Sequence, residues 1–139
     1  MKKNIEFIKK NKKILAIIIY NSYKEEGVKF LSPPDFPQQI AFISRKRGEV
    51  IDAHIHNLVK REIKETQESL FIKKGKLKVN FYDLRKKYLS SRILKAGDII
   101  LLAGGGHGFK VLNDVKMVEV KQGPYLGERD KIRFKGIEK

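Results

Sequence analysis

Short runs in which apolar and polar residues alternate recur along the whole chain, and they constrain its fold more than any other feature. In the clearest run, residues 76 to 81, leucine, valine and phenylalanine alternate with two lysines and Asn80. Successive side chains of a strand point to opposite faces, so this run predicts a strand with one buried and one wet face. Comparable runs, some of them alternating and some apolar throughout, predict strands at 14–20, 39–44, 49–56, 69–74, 76–82, 88–94, 98–103, 109–112 and 115–120.

Turn-forming residues separate these runs at intervals typical of an antiparallel sandwich or barrel. They include Lys74-Gly75, Gly104-Gly105-Gly106 and Asn113-Asp114. Only residues 58–67 have a pattern compatible with a helical turn or two. The sequence therefore predicts an all-β fold with little helix.

The chain has 139 residues, which is the size of one ordinary domain, and we expect a single domain over 1–139. It contains no cysteine, so disulfides and thiolate chemistry are excluded and a cytoplasmic location is expected. The longest apolar run, residues 14–19, is too short to cross a membrane and too short and late for a signal peptide. No membrane association is predicted.

The formal net charge of +15 favours anionic partners. The lysines are spread along the chain, and no aromatic RNA-binding motif or helix-turn-helix pattern accompanies them. A nucleic-acid partner is therefore not predicted, and the charge is read as a solvated surface. Attraction of a small anionic substrate remains open.

Two of the three histidines stand at positions i and i+2 of the predicted strand 49–56. Side chains with this spacing share a face, so the imidazoles of His54 and His56 can turn toward one metal ion. Glu68 has the parity of Leu70, which places its carboxylate on an apolar face where it needs a partner. His107 follows three glycines. A tight turn there can aim its ring into the same interior.

The spacing of these residues resembles the first motif of the cupin superfamily. That motif runs glycine, five residues, His-x-His, a gap, glutamate, six residues and glycine. Here it matches Gly48, His54, His56, Glu68 and Gly75, with eleven residues between His56 and Glu68.

The second cupin motif resembles residues 97–107, which end in His107, with Asn113 near the position of the closing asparagine and Ala103 in place of the usual proline. Glu62 and Glu65 are rivals of Glu68 as the carboxylate ligand. However, only Glu68 keeps the six-residue distance to Gly75.

The resemblance implies a jelly-roll barrel, also called a double-stranded β-helix, with its core at about 39–122 and a homodimeric assembly. It also implies one divalent metal ion held by His54, His56, Glu68 and His107. Three nitrogens and one carboxylate suit Fe, Mn, Ni, Co or Zn. The expected function is a metal-dependent enzyme acting on a small polar or anionic metabolite, such as an isomerase or epimerase of a sugar or nucleotide-sugar. A non-haem dioxygenase and a non-catalytic metal or metabolite binder are the alternatives.

Two further carboxylates are candidate catalytic residues. Glu119 alternates with Val115 and Met117, so it either faces the interior, as a hydrogen-bond partner of a metal ligand or as a general base, or is solvated on the other face. Asp52 shares the predicted face of His54 and could orient its ring, because metal-bound imidazoles commonly donate their second N–H to an oxygen. The loop 57–67, with Lys60, Arg61 and Lys64, is either a lid or a solvated charged segment.

Overall fold

The computed structural model describes residues 4–139 and confirms the all-β fold class. Within this range there is no α-helix, only a single turn of 3-10 helix at Gly127–Asp130, and no helix long and apolar enough to cross a membrane. The eight strands are β1 Ile5–Lys10, β2 Lys13–Ile19, β3 Gly27–Phe30, β4 Ala41–Ser44, β5 Glu68–Tyr82, β6 Tyr88–Lys95, β7 Ile99–Leu102 and β8 Gly106–Lys121.

Six strands form one antiparallel sheet that curls into a half-barrel. The order is β1-β2-β7-β5-β6, and β8 pairs with β5 along almost its whole length. Strands β3 and β4 form a separate two-stranded sheet. Strand β5 is therefore the centre of the fold, because β7 and β6 bind its two halves while β8 follows it from end to end.

The core lies on the concave face of the half-barrel. The alternation predicted for β5 is confirmed there, because Leu77 and Val79 have no exposed surface and Phe81 has 1%. Strands β2 and β7 add Ile18 and Ile100, both fully buried, to the same cluster. Burying apolar surface contributes roughly 25 cal/mol per Å², and this cluster is the largest in the described chain. The N-terminal strands thus join the sheet that carries the predicted barrel core.

The turns predicted at Lys74-Gly75 and Asn113-Asp114 are wrong, because both positions lie inside continuous strands. The register between β5 and β8 shifts at Lys74 and again around Lys76, opposite Lys116 and Asn113. The irregular pairing around Gly75 and Asn113 lets the two long strands bend together. Bulges of this kind increase the local twist of a sheet. The chain curls at this point without reversing its direction.

The strand predicted at 49–56 and the helical turn predicted within 58–67 are also absent. Every residue from 43 to 66 is exposed, and none from 45 to 67 belongs to a strand or helix. A strand needs a neighbour for its backbone N–H and C=O groups, and none is provided in the described chain. We call residues 45–66 the arm.

On the outer face of β5, only the middle of the strand is exposed to solvent. Asn80, predicted to face solvent, is fully buried. It pairs with Gly108 of β8, and Glu138 from the C-terminal tail lies against that glycine. The Phe134 ring of the same tail packs edge-to-face on Tyr82, with centroids 5.0 Å apart. The tail therefore covers a face that alternation alone marks as exposed.

Candidate functional site

Glu68 and His107, which come from the first and the second of the two predicted motifs, meet on the inner face of the half-barrel. Glu68 is the first residue of β5, and His107 is the second residue of β8, opposite the buried Phe81. The distance from Glu68 Oε1 to His107 Nε2 is 3.6 Å, and the two side chains are 16% and 26% exposed. Residues 39 positions apart in sequence (107 minus 68) thus form one partly buried polar pair.

The electrostatic surroundings of Glu68 favour its carboxylate form. The adjacent His107 ring holds the pKa of Glu68 below its ordinary value, and this effect exceeds the opposing effect of partial burial. The positive charges of Lys121 and Lys131 lower the pKa further. The inner face therefore presents an anionic oxygen beside an imidazole, with lysine charges nearby.

Hydrogen bonds on both sides of Glu68 hold its backbone in place. The Gln67 carbonyl accepts bonds from the Gln122 N–H and from Gln38 Nε2, each at 3.0 Å. The Ser69 hydroxyl donates to Gln38 Oε1 at 2.9 Å. Gln67 itself is 2% exposed. Nothing in the spacing of the sequence singles out these three glutamines, because their role depends on contacts between distant segments.

The glycine turn predicted before His107 is present and carries the chain from Leu102, opposite Glu68, to Gly106, opposite Tyr82 at the end of β5. Gly105 has a φ of 67°, and a Cβ placed there would meet the carbonyl oxygen of Tyr82 and the side chain of Leu15. The N–H groups of Ala103 and Gly104 both donate to the Leu15 carbonyl, at 2.8 and 3.1 Å. A glycine at 105 is needed for both reasons, backbone conformation and space.

His54 and His56 lie on the exposed arm, away from the half-barrel's interior. Their ring centroids are 5.2 Å apart with the rings at 75°. Nδ1 of His54 lies 2.9 Å from the backbone oxygen of Asp52. A carbonyl oxygen only accepts, so this contact places the ring proton on Nδ1 and leaves Nε2 free to bind a metal. Asp52 thus orients the ring through its backbone, and its carboxylate makes no described contact with it.

The four predicted ligands consequently form two pairs. Among residues 4–139, no group of three or more histidine, aspartate or glutamate side chains is arranged to hold a metal ion. Imidazole nitrogen and carboxylate oxygen are suitable donors for a divalent transition metal, which takes three or four protein ligands. The donor chemistry fits such an ion. Each pair would supply half of the ligands.

Glu119 lies on the inner face, one of the two alternatives left open by its alternation. It is directly opposite Leu70, a fully buried core residue. The Glu119 side chain is 45% exposed, and its Oε1 is 4.0 Å from Lys121 Nζ. The same ammonium group is 4.0 Å from Asp130. Lys121, which the sequence does not distinguish from the other lysines, therefore links Glu119 to the C-terminal segment.

The end of the arm borders a surface groove of about 800 Å³. Arg61, Glu62 and Glu65 line one side of it, and residues 34–37 line the other. Neither Glu68 nor His107 lines this groove or the other three cavities described.

Comparison with known proteins adds no relative to this picture. No protein-family model matches the chain, and neither the search of curated proteins nor the search of solved structures finds a match.

Proposed function

We propose that this chain is a metal-binding cupin with a jelly-roll barrel, and that it is an enzyme acting on a small polar or anionic metabolite. The observation that carries the proposal is the meeting of Glu68 and His107 on the inner face. One comes from each of the two cupin-like motifs. The curled six-stranded sheet is compatible with a jelly roll.

The residues around the pair have the charges needed to bind an anionic metabolite. Lys121 and Lys131 act on Glu68 through their positive charge, and Lys121 also lies beside Glu119. Positive charges beside a partly buried site attract phosphate or carboxylate groups. A sugar phosphate or nucleotide-sugar is the substrate class that these charges favour.

Glu119 is the candidate proton acceptor. It shares the inner face with Glu68 and His107 but retains water access, which suits a carboxylate that exchanges protons with substrate. A divalent ion bound by Glu68, His107, His54 and His56 would polarise a substrate oxygen as a Lewis acid. Together these roles describe an isomerase or epimerase that removes a proton next to a carbonyl group.

The test combines metal binding with turnover. The protein is incubated with Co²⁺, Zn²⁺, Mn²⁺ or Fe²⁺ and assayed on a panel of sugar phosphates and nucleotide-sugars for exchange of carbon-bound hydrogen with D₂O. We expect wild type to bind metal and exchange hydrogen, His107→Ala to lose both, and Glu119→Gln to bind metal without exchange.

Other outcomes separate the alternatives. Oxygen consumption by the Fe²⁺ form would replace the isomerase by a dioxygenase. Tight metabolite binding without product, in every metal form, would indicate a non-catalytic binder. If wild type binds none of these metals, the proposal is wrong.

A further inference from the structure

The arm exposes apolar side chains that a folded chain normally buries. Val50, Ile55 and Leu58 are 82%, 90% and 104% exposed, and Ile51 and Val59 are 61% and 59% exposed. Contiguous apolar surface of this kind marks an interaction site in soluble proteins. The arm therefore has the side chains of a buried segment without a surface to bury them.

The arm also has the composition of a strand rather than of a linker. It contains one glycine and no proline or serine, and residues 49–56 alternate in the manner of a strand. Within the described chain, its only backbone–backbone hydrogen bond is from the Glu49 N–H to the Lys46 carbonyl. Loops above about 15 residues without structure of their own are uncommon in compact domains.

Strand β8 offers what the arm lacks. It has 16 residues and, among residues 4–139, is bonded to β5 only, so its other edge carries a row of N–H and C=O groups without a strand partner there. Val111, Leu112 and Val118 along it are 58%, 41% and 48% exposed. A long open edge with apolar side chains is a template for an added strand.

The charges of the two segments are complementary. Residues 49–58 carry two carboxylates, Glu49 and Asp52, and no lysine or arginine. Strand β8 exposes Lys110 and Lys116, and its three lysines outnumber its two carboxylates, Asp114 and Glu119. Pairing these segments reduces repulsion in a chain of net charge +15, which otherwise disfavours contact between two copies.

We propose that the arm of one chain adds as a strand to β8 of a second copy, and that the exchange is reciprocal. Each site then consists of Glu68 and His107 from one copy and His54 and His56 from the other. Two-fold symmetry lets both copies bury both surfaces with one type of contact. This assignment of ligands rests on the proposed metal-binding function, whereas the strand exchange does not.

The exchange can be tested without metal by forming disulfides between introduced cysteines, because the chain has no cysteine of its own. Ile55→Cys is co-expressed with a tagged copy carrying Lys110→Cys, Leu112→Cys or Val118→Cys, each on the β8 face opposite to His107. The control partner is Ile93→Cys on edge strand β6, which is 49% exposed. We expect a covalent heterodimer with at least one β8 variant and none with Ile93→Cys.

Two results overturn the exchange. One is the absence of any heterodimer with all three β8 variants. The other is a disulfide that forms only within one chain when Ile55→Cys is combined with a β8 cysteine in the same copy, because that places the arm on its own β8.

Co²⁺ binding tests the shared site by complementation. One copy carries His54→Ala and His56→Ala, and the other carries Glu68→Ala and His107→Ala. Neither variant alone should bind Co²⁺, and the isolated heterodimer should bind half as much Co²⁺ per chain as wild type. If the ligands of one site come from a single chain, the heterodimer binds none.

The two proposals fail in different ways. Heterodimer disulfides in a protein whose wild type binds no Co²⁺ retain the exchange and reject the metal site. Co²⁺ binding by wild type without complementation or disulfides retains the metal site and rejects the exchange.

Discussion

The Cα of Gly75 in β5 faces the backbone carbonyl of Asp114 in β8 with no space between them for a side chain. A Cβ at position 75 would overlap the carbonyl oxygen and carbon of Asp114, and Gly75 has a φ of 89°. The closest approach of the two longest strands therefore depends on a residue without a side chain. The register irregularities on both strands lie at this same place.

We expect Gly75→Ala to lower the free energy of unfolding by about 2–4 kcal/mol, since it adds a clash with backbone to an unfavourable φ. Gly48→Ala is the matched control, because Gly48 has a φ of 90° and nothing within 4 Å of its Cβ position. Urea unfolding of both variants measures the difference. Equal losses would show that the close approach to Asp114 contributes nothing.

Tyr82→Phe should loosen the C-terminal tail. The Tyr82 hydroxyl donates to the Glu138 carboxylate at 3.0 Å and accepts the Ile137 N–H at 2.9 Å. Losing bonds to a charged group and to a backbone amide should cost about 1–3 kcal/mol. Trypsin, which cleaves after Lys131, Arg133 and Lys135 in this segment, should release the tail faster from the variant.

Tyr88→Phe is the control for this tail experiment, because within residues 4–139 the Tyr88 hydroxyl has its one described hydrogen bond with Ser91, at an exposed position. We expect it to leave tail cleavage at the wild-type rate. Equal cleavage of the Tyr82→Phe and wild-type proteins would contradict a role of the hydroxyl in holding the tail.

The Glu68 carboxylate should stabilise the fold at neutral pH and lose this effect at acid pH. Its pKa is lower in the folded chain than the ordinary value of 4.5, so the unfolded chain takes up the proton first as the pH falls. The free energy of unfolding of wild type exceeds that of Glu68→Gln by its full amount when the pH is above 4.5. This difference is lost as the pH falls through the pKa of Glu68 in the folded chain. Denaturant unfolding with a chelator present, repeated across acid pH, measures this difference. A constant difference would contradict the contact with His107.

A titration at alkaline pH tests the contact between Tyr20 and Glu6. Burial and the hydrogen bond to Glu6 raise the pKa of Tyr20 to about 12 from an ordinary value of 10.0. The folded chain keeps this proton longer, so the contribution to stability is complete below pH 10 and is lost as the pH rises through about 12. Ultraviolet difference titration of wild type against Tyr20→Phe measures the phenol directly.

The unfolded chain provides the comparison for this titration. The same pair of proteins is titrated again in concentrated urea, where the contact with Glu6 is absent. We expect the Tyr20 difference curve of the folded protein to lie at clearly higher pH than the curve in urea. Coinciding curves would exclude the effect of burial and of Glu6.

Several features of the molecule follow from sequence alone, because strand alternation is a local property of the backbone. Alternation placed Leu77, Val79 and Phe81 on the buried face, and the structure confirms this. The same parity put Glu68 and His107 on the inner side of their strands, where they meet. The all-β class and the glycine turn before His107 needed no knowledge of distant contacts.

Only the tertiary structure decided which strand-like segments have partners. The pattern of residues 49–56 is as regular as that of β5, yet this segment is unpaired in the described chain while β5 is bonded on both sides. In the same way, Gly75 and Asp114 resemble turn residues in sequence but sit opposite each other inside two continuous strands. Alternation sets the face on which a side chain lies. Hydrogen-bond pairing joins residues far apart in the chain, and it depends on where the rest of the fold places an open edge.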